Sequence, residues 1–327
     1  LKILIIRLSS IGDVILTTPI IKAFKEKYPD SQIDFLVLSQ FKDAISGNPL
    51  INNIYLFDKE KNDGYKKIKE FSKELKKESY DYIFDLHNKF RSKIIRKNIG
   101  VKTYIYKKRK MWKSLLVKMH LIKYKVDNTI IKNYYGAFND FDLDYKGEKL
   151  DFFFENFDLK KVESYKGYGV ISPGASKNTK KWPAEYYGEL AKKLFIKYGK
   201  PIVIIGGKED IESAKIIKEI AKEGVIDLTG QLSLKESGAL LSQSKFLVCN
   251  DSAPFHISRS YSIINFVIFG PTSPEMFDFN ESDNLIFAQE KCSPCSLHGD
   301  KSCPKGHFKC MMNIKPETIF EKITLKI

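Results

Sequence analysis

Short, almost wholly apolar segments rich in β-branched residues alternate with longer segments of helical period along most of the chain. In the first half Lys2–Ile6, Gln32–Leu38, Asn53–Phe57, Tyr80–Leu86 and Lys102–Tyr106 read as strands, and Thr17–Lys27, Gly64–Glu78 and Arg91–Asn98 as helices between them. A second series runs through Tyr168–Ser172, Pro201–Ile205, Val225–Leu228, Phe246–Cys249 and Ile263–Phe269, with helices over Pro183–Tyr198, Glu209–Lys222 and Leu234–Ser242. Parallel strands cannot be joined by a tight hairpin and need a crossover of about a dozen residues or more, which is right-handed. Repeated strand–helix units therefore demand a mainly parallel sheet.

Two such series predict an α/β chain of two Rossmann-like domains with parallel sheets facing a cleft. At 327 residues the chain is long enough for two domains, each with its own core. Between the series, residues 122–165 are aromatic-rich and poorly patterned, so the expected division is 1–160 and 161–327. No run approaches the eighteen or so apolar residues that a membrane-spanning helix needs. The chain opens directly on a strand, so no signal peptide is expected and a cytoplasmic protein is.

The net charge is +15, and it is concentrated. Lys89 to Lys125 holds fourteen Lys or Arg and no Asp or Glu, while the remainder is close to neutral. A local basic field suits an anionic partner: nucleic acid, a phosphorylated glycolipid or an anionic membrane surface. The alternative is a Lys-rich composition spread over solvated faces. Within this run Lys107–Lys113 carries Trp112 and continues into Leu115–Met119, a pattern that fits an interfacial membrane contact or an ordinary helix with one buried face.

In an open parallel sheet, ligands bind at the carboxyl ends of the strands. Five loops leave predicted strands there. The first is Arg7-Leu-Ser-Ser-Ile-Gly-Asp13, where Asp13 is either a reactive carboxylate or a turn and cap residue, and Gly12 permits a tight turn. The second, Ser172 to Pro183, leads through Gly174 into a helix and offers Ser176, Thr179 and Lys180 to a phosphate. It lacks the spacing of a P-loop. The third, Gly206-Gly-Lys-Glu-Asp210, places Glu209 or Asp210 where a ribose would be held. The fourth is Asn250-Asp-Ser-Ala-Pro-Phe-His256. Asp251 and Ser252 there serve either a ligand or the cap of the next helix, and His256 either meets phosphate or is a hydrogen-bonded core residue. The fifth is Phe269-Gly-Pro-Thr272. No G-x-G-x-x-G occurs, which argues against a dinucleotide dehydrogenase.

Taken together and in order, Arg7 to Asp13, Tyr80-Asp-Tyr-Ile-Phe-Asp85, Pro173-Gly-Ala before Lys180-Lys-Trp-Pro183, Asn250-Asp-Ser-x-x-x-His256 and Phe269-Gly-Pro-Thr272 resemble the ADP-heptose:lipopolysaccharide heptosyltransferases, glycosyltransferase family 9. The resemblance spans residues 1 to about 310. It implies a GT-B fold, with an acceptor-binding first domain and a nucleotide-sugar-binding second one. By motif, Asp13 resembles the catalytic base. Ser176, Lys180, Glu209, Asp251, Ser252 and His256 fall at nucleotide-sugar positions, and Ser9, Ser10, Gly12 and Arg91 at acceptor positions. Ala253 stands where the family usually has Gly, and Arg259-Ser260 replaces a small apolar pair.

The chemistry so implied is one inverting displacement. Asp13 takes the acceptor's proton while Lys180, Ser176 and helix N-termini meet charge growing on the diphosphate. The five strand-end loops carry no Asp-x-Asp motif to hold a catalytic metal, and no cofactor is expected besides the donor, ADP-heptose. The implied acceptor is the lipid A–Kdo glycolipid, with the basic segment 89–125 on its phosphates and on the inner membrane face. A related transferase using another nucleotide sugar is the nearest alternative. A noncatalytic nucleic-acid-binding module is disfavoured by the absence of any such motif. Cys292, Cys295, Cys303 and Cys310, with His298 and His307 nearby, read either as reduced thiols in a local turn or as a structural zinc site. Pro316–Ile327 reads as a terminal helix, which in GT-B folds often crosses back to the first domain.

Overall fold

The computed structural model describes residues 1–106, 126–261 and 263–327; the Lys107–Lys113 run, Trp112 and Leu115–Met119 lie outside the described residues. The chain divides into two compact units. The first takes the described residues of Leu1–Arg109 with Asn128–Phe153, and the second those of Lys110–Asp127 with Phe154–Ile327.

The first unit is a five-stranded sheet of β1 (Lys2–Ile6), β2 (Gln32–Leu38), β3 (Asn53–Phe57), β4 (Tyr82–Asp85) and β5 (Thr103–Ile105), in the order β3-β2-β1-β4-β5. Every pair is parallel. Ile3 to Ile6 are wholly buried, as a central strand covered on both faces requires. Leu4 and Ile6 share one core cluster with Ile68 and Leu75 of the helix Tyr65–Lys77 and with Ile95 and Ile99 of the helix Phe90–Ile99. The latter helix ends at Gly100, whose φ of +83° is the left-handed stop that glycine accepts without strain.

An aromatic cluster includes Phe84 of β4, Phe24 of the helix Thr18–Lys27, and Phe138 and Phe141 of the turn Gly136–Phe141. The rings of Phe84 and Phe138 are stacked, 3.7 Å apart at 2°. This explains the aromatic wealth of the poorly patterned region: residues 128–153 return to the first sheet and pack rings onto it rather than forming a strand. Tyr135 donates to the carbonyl of Pro19, 3.2 Å away.

The second unit is a six-stranded parallel sheet of β6 (Gly169–Ser172), β7 (Ile202–Ile204), β8 (Val225–Asp227), β9 (Phe246–Asn250), β10 (Ile264–Phe269) and β11 (Asp283–Phe287), in the order β11-β10-β9-β6-β7-β8. The edge strand β11 escaped the sequence reading because it opens on Asp283-Asn284 and lacks a long apolar run. The unit begins ahead of the helix Asn156–Val162, where Gln243 donates to the carbonyl of Val162.

The terminal helix Pro316–Lys326 packs on the helix Ala184–Tyr198. Ile319 and Ile323 are fully buried in the second unit's core, Lys193 pairs with Glu317 at 2.6 Å, and the Trp182 indole donates to the carbonyl of Ile314 at 2.9 Å. The apolar face of this helix packs on the second unit's core. Among the described residues no helix is long and apolar enough to cross a membrane.

Replacing Phe138 with Ala removes one half of the ring stack and leaves a cavity. It should cost the first unit ~3–5 kcal/mol. Hydrogen exchange of β4 amides across a urea titration should show a lowered midpoint, and an unchanged midpoint would deny the stack its structural weight.

Candidate active site

Both sheets reverse their strand order next to a chemically loaded loop. In the first unit the chain leaves β1 towards β2 on one side, and β4 lies on the other. The crevice between β1 and β4 is the switch point at which such sheets hold ligands. Asp13 lies there, third residue of the short helix Ile11–Ile15. Three donors converge on its Oδ2: Arg7 Nη2 at 2.8 Å, the Ser10 amide at 3.1 Å and Ser10 Oγ at 3.0 Å. The hydrogen bond from the Ser10 amide is the capping geometry of a turn-and-cap residue. The Arg7 ion pair goes beyond it.

Arg7 closes β1, is itself buried, and donates through Nη1 to the carbonyl of Leu86, 2.6 Å away, just past β4. Its guanidinium lies 5.5 Å from the ring of the fully buried Tyr134. Burial on its own pushes the Asp13 carboxyl upwards, but the Arg7 charge and the bonds from Ser10 and Arg7 outweigh it and hold the group at about 2. Asp13 is therefore ionised at any physiological pH while about a third of its side chain stays accessible. Ser10 is exposed, Ser9 partly so, and Gly12 is buried beside them. Arg91 sits apart from this cluster, its guanidinium held in a two-pronged pair with Asp63 at 3.0 and 2.7 Å.

In the second unit β6 and β9 lie side by side at the switch point, with β10 next to β9. Asn250 ends β9 wholly buried, and its side chain ties the neighbouring loop down. Nδ2 donates to the carbonyls of Pro173 and Gly174 at 2.8 and 3.3 Å, and Oδ1 accepts from the Trp182 amide and the Tyr187 hydroxyl at 3.0 and 3.3 Å. This amide holds the 173–182 loop against the end of β9. The next residue, Asp251, then meets Lys180 at 2.8 Å and accepts from Thr272 Oγ1 at 2.9 Å, so residues from three loops share one carboxylate.

Lys180 and Asp251 are both buried, with side chains 11% and 6% exposed. A buried charge is retained only when it is paired and hydrogen-bonded, and here it is. An ammonium has three donors, and Asp251 engages it from one side. Ser252 is the first residue before the helix Ala253–Ser258, yet its hydroxyl donates to the Asn250 carbonyl and makes no cap. Capping therefore explains neither Asp251 nor Ser252. His256 is buried with its ring against Phe255 and Phe277. Ser176 and Glu209 are exposed on their loops, while Asp210 is buried, accepts from the Gly207 amide and pairs with Lys181 at 3.0 Å.

The structure thus gathers Ser10, Gly12 and Asp13 in one unit, and Lys180 and Asp251 in the other. Sequence reasoning missed Arg7, Tyr134 and Asn250 as site-builders. A basic residue ending a fully apolar strand was the available signal for Arg7. Tyr134 lies in the stretch that showed no pattern, and nothing in the sequence marks Asn250 as a hub.

The four clustered cysteines are free, and Cys292 Sγ lies 3.8 Å from His307 Nε2. Burial, and then the neighbouring Cys292, Cys303 and Asp300, push the Cys295 thiol up to about 11. Burial, followed by the other three cysteines, pushes that of Cys310 up to about 12. Both are protonated thiols at neutral pH. Among the described residues no group of three or more His, Cys, Asp or Glu is arranged to hold a metal ion.

The Arg7–Asp13 pair has a pH signature. A carboxyl held at about 2 against an ordinary 3.8 adds stability that is fully present above about pH 3.8 and is lost as the pH falls through about 2. Arg7→Met removes the cation and leaves burial opposed only by the Ser10 bonds, so the Asp13 carboxyl should titrate above its wild-type position and that stability should shrink. Carbon-13 NMR of the side-chain carboxyl checks this, and an unmoved titration would show that Arg7 does not set it.

The family model described as glycosyltransferase family 9 (heptosyltransferase) matches residues 68–305. A lipooligosaccharide heptosyltransferase 2 of Campylobacter jejuni serotype O:6 is 30% identical over 96% of this chain and 95% of its own length. Among solved structures, the glycosyl transferase family 9 protein of Veillonella parvula superposes with a TM-score of 0.82 at 19% identity, covering 99% of this chain and 96% of that one. The Escherichia coli ADP-heptose lps heptosyltransferase II gives 0.77 at 20%, covering 99% and 98%. The two parallel α/β sheets are those of the GT-B fold, and the chain belongs to glycosyltransferase family 9, the heptosyltransferases.

Proposed function

We propose that this glycosyltransferase moves L-glycero-D-manno-heptose from ADP-heptose to the inner core of lipopolysaccharide, with inversion at the anomeric carbon. The observation that carries the reading is the Asp13 carboxylate, kept ionised by Arg7 and Ser10 at the switch point of the first sheet. Its relatives' names support the substrate class. The first unit is assigned the acceptor and the second the donor.

In the proposed reaction, the acceptor oxygen forms a bond to the anomeric carbon as the bond from that carbon to the diphosphate breaks. The bonding pair leaves with ADP, and the acceptor's proton passes to Asp13. Three donors occupy Oδ2, so Oδ1 is assigned the proton. A carboxylate held at about 2 is a weak base. It serves best late in the displacement, when the attacking oxygen has begun to carry positive charge and its proton is acidic. Lys180 is assigned the developing diphosphate charge, with Ser176, Glu209, Ser252 and His256 lining the donor and Asp251 orienting the ammonium. Ser9, Ser10, Gly12 and Arg91 are assigned the acceptor side. The reaction as drawn needs no cofactor.

The experiment is transfer from ADP-heptose to Kdo₂-lipid A and to its monoheptosylated form. Asp13→Asn should slow transfer by roughly 10²–10⁴-fold while ADP still binds. A wild-type rate in the variant would remove Asp13 as the base. Failure of the wild type on both acceptors, with no binding of ADP-heptose, would send the donor assignment to another nucleotide sugar.

The basic segment 89–125 is assigned the acidic glycolipid and the inner membrane face, with the protein on the cytoplasmic side. Support comes from Phe90, 64% exposed between Lys89 and Arg91. Cosedimentation with vesicles containing anionic phospholipid should fall steeply with salt and be absent with neutral vesicles. Equal binding to both would overturn the assignment.

A further inference from the structure

We propose that Gly299 is a positioning residue for Lys180: its bare backbone is the shelf on which the lysine stem lies, aiming the ammonium at Asp251 and the donor diphosphate. This rests on the reading of Lys180 as the diphosphate contact.

Gly299 belongs to the cysteine-containing segment that follows β11, and this segment is fastened to two of the three loops that build the donor site. At one end the amides of Cys295 and Ser296 donate to the carbonyl of Pro271 at 2.9 and 3.0 Å, and Ser293 Oγ donates to the carbonyl of Gly270. At the other, the Asp300 amide donates to Thr179 Oγ1 at 2.7 Å. The Thr179 amide and hydroxyl both donate back to the Asp300 carbonyl, at 3.2 and 3.0 Å. The residue before Asp300 is therefore held against the residue after Thr179.

At that contact there is no room for a side chain. A Cβ built on Gly299 would lie 2.8 Å from Cγ and 3.0 Å from Cδ of Lys180, and 3.0 Å from Cβ of Lys177. A lysine stem usually yields to such an intrusion by swinging away. This one is buried, and its ammonium is tethered to Asp251 at 2.8 Å, so yielding means breaking the tether. Lys177 Cβ is fixed to the backbone and yields still less. Gly299 also has a φ of +79°, where a side chain is strained in any surroundings. Gly306, in the same segment, has a φ of +71° with nothing within 4 Å of its built Cβ. It therefore matches the backbone strain without the contact.

The test measures ADP binding by calorimetry on the full chain. Gly299→Ala should weaken ADP about tenfold, the scale of one misaligned charge-assisted bond. Gly306→Ala should stay within about twofold, since it carries the same strain but touches no donor-site residue. Thr179→Val, which loosens the fastening without a clash, should weaken ADP about threefold and keeps the question answerable if Gly299→Ala does not fold. Combined with Lys180→Ala, Gly299→Ala should add nothing, because the two act through one ammonium.

A Gly299→Ala protein that binds as the wild type does, or no more weakly than Gly306→Ala, overturns the shelf. So does a loss that persists in full beside Lys180→Ala. If Lys180→Ala alone leaves ADP binding intact, the diphosphate reading falls and the shelf with it. If Lys180→Ala weakens ADP while Gly299→Ala does not, the shelf alone falls.

Discussion

Parallel pairing governs this molecule. Because neighbouring strands run the same way, each must be followed by a crossover, and every loop from a strand into a helix emerges at one edge of its sheet. Asp13 after β1 shares that edge with the β4 end that Arg7 reaches. Lys180 after β6, Asp251 after β9 and Thr272 after β10 share the corresponding edge of the second sheet. The strand order, with β1 beside β4 and β6 beside β9, opens a crevice at those loops. The fold thus puts the polar residues where the backbone is least committed to the core.

The two sites use the same pair of charges for opposite ends. At Asp13 the arginine cannot leave its place: it is buried, bonded to Leu86 and laid against Tyr134, so the carboxylate is the accessible partner. At Lys180 both partners are buried, and the pair depends on what surrounds it. Thr272 supplies a further bond to the carboxylate, Asn250 fixes the loop that bears the lysine, and the segment beyond β11 lies against the stem. An ion pair removed from water gains little by itself. What it gains here is direction.

Much of this was legible in the chain. The strand and helix alternation announced two parallel sheets, and strands such as Lys2–Ile6 were recovered to the residue because a strand buried on both faces is an unbroken apolar run. The loops bearing Asp13, Lys180 and Asp251 were picked out because they punctuate such runs. Other features left no such trace. Edge strand β11 is half polar. Phe138 and Tyr134 sit in a stretch whose partners lie about fifty or more residues earlier in Phe84 and Arg7. Asn250 stood inside a motif, but its four bonds run to residues on other elements.

Local periodicity and ordered residue patterns were enough to read the class of fold, the family and the loops that hold the candidate residues. Which of those residues meet is settled by the packing of the folded chain. It lowered the Asp13 carboxyl through Arg7, paired Asp251 with Lys180 instead of using it as a cap, engaged Arg91 with Asp63, and laid Gly299 under the lysine stem. Each of these is a contact between segments that the chain brings together only when its strands pair, and such contacts have no period for a sequence to show.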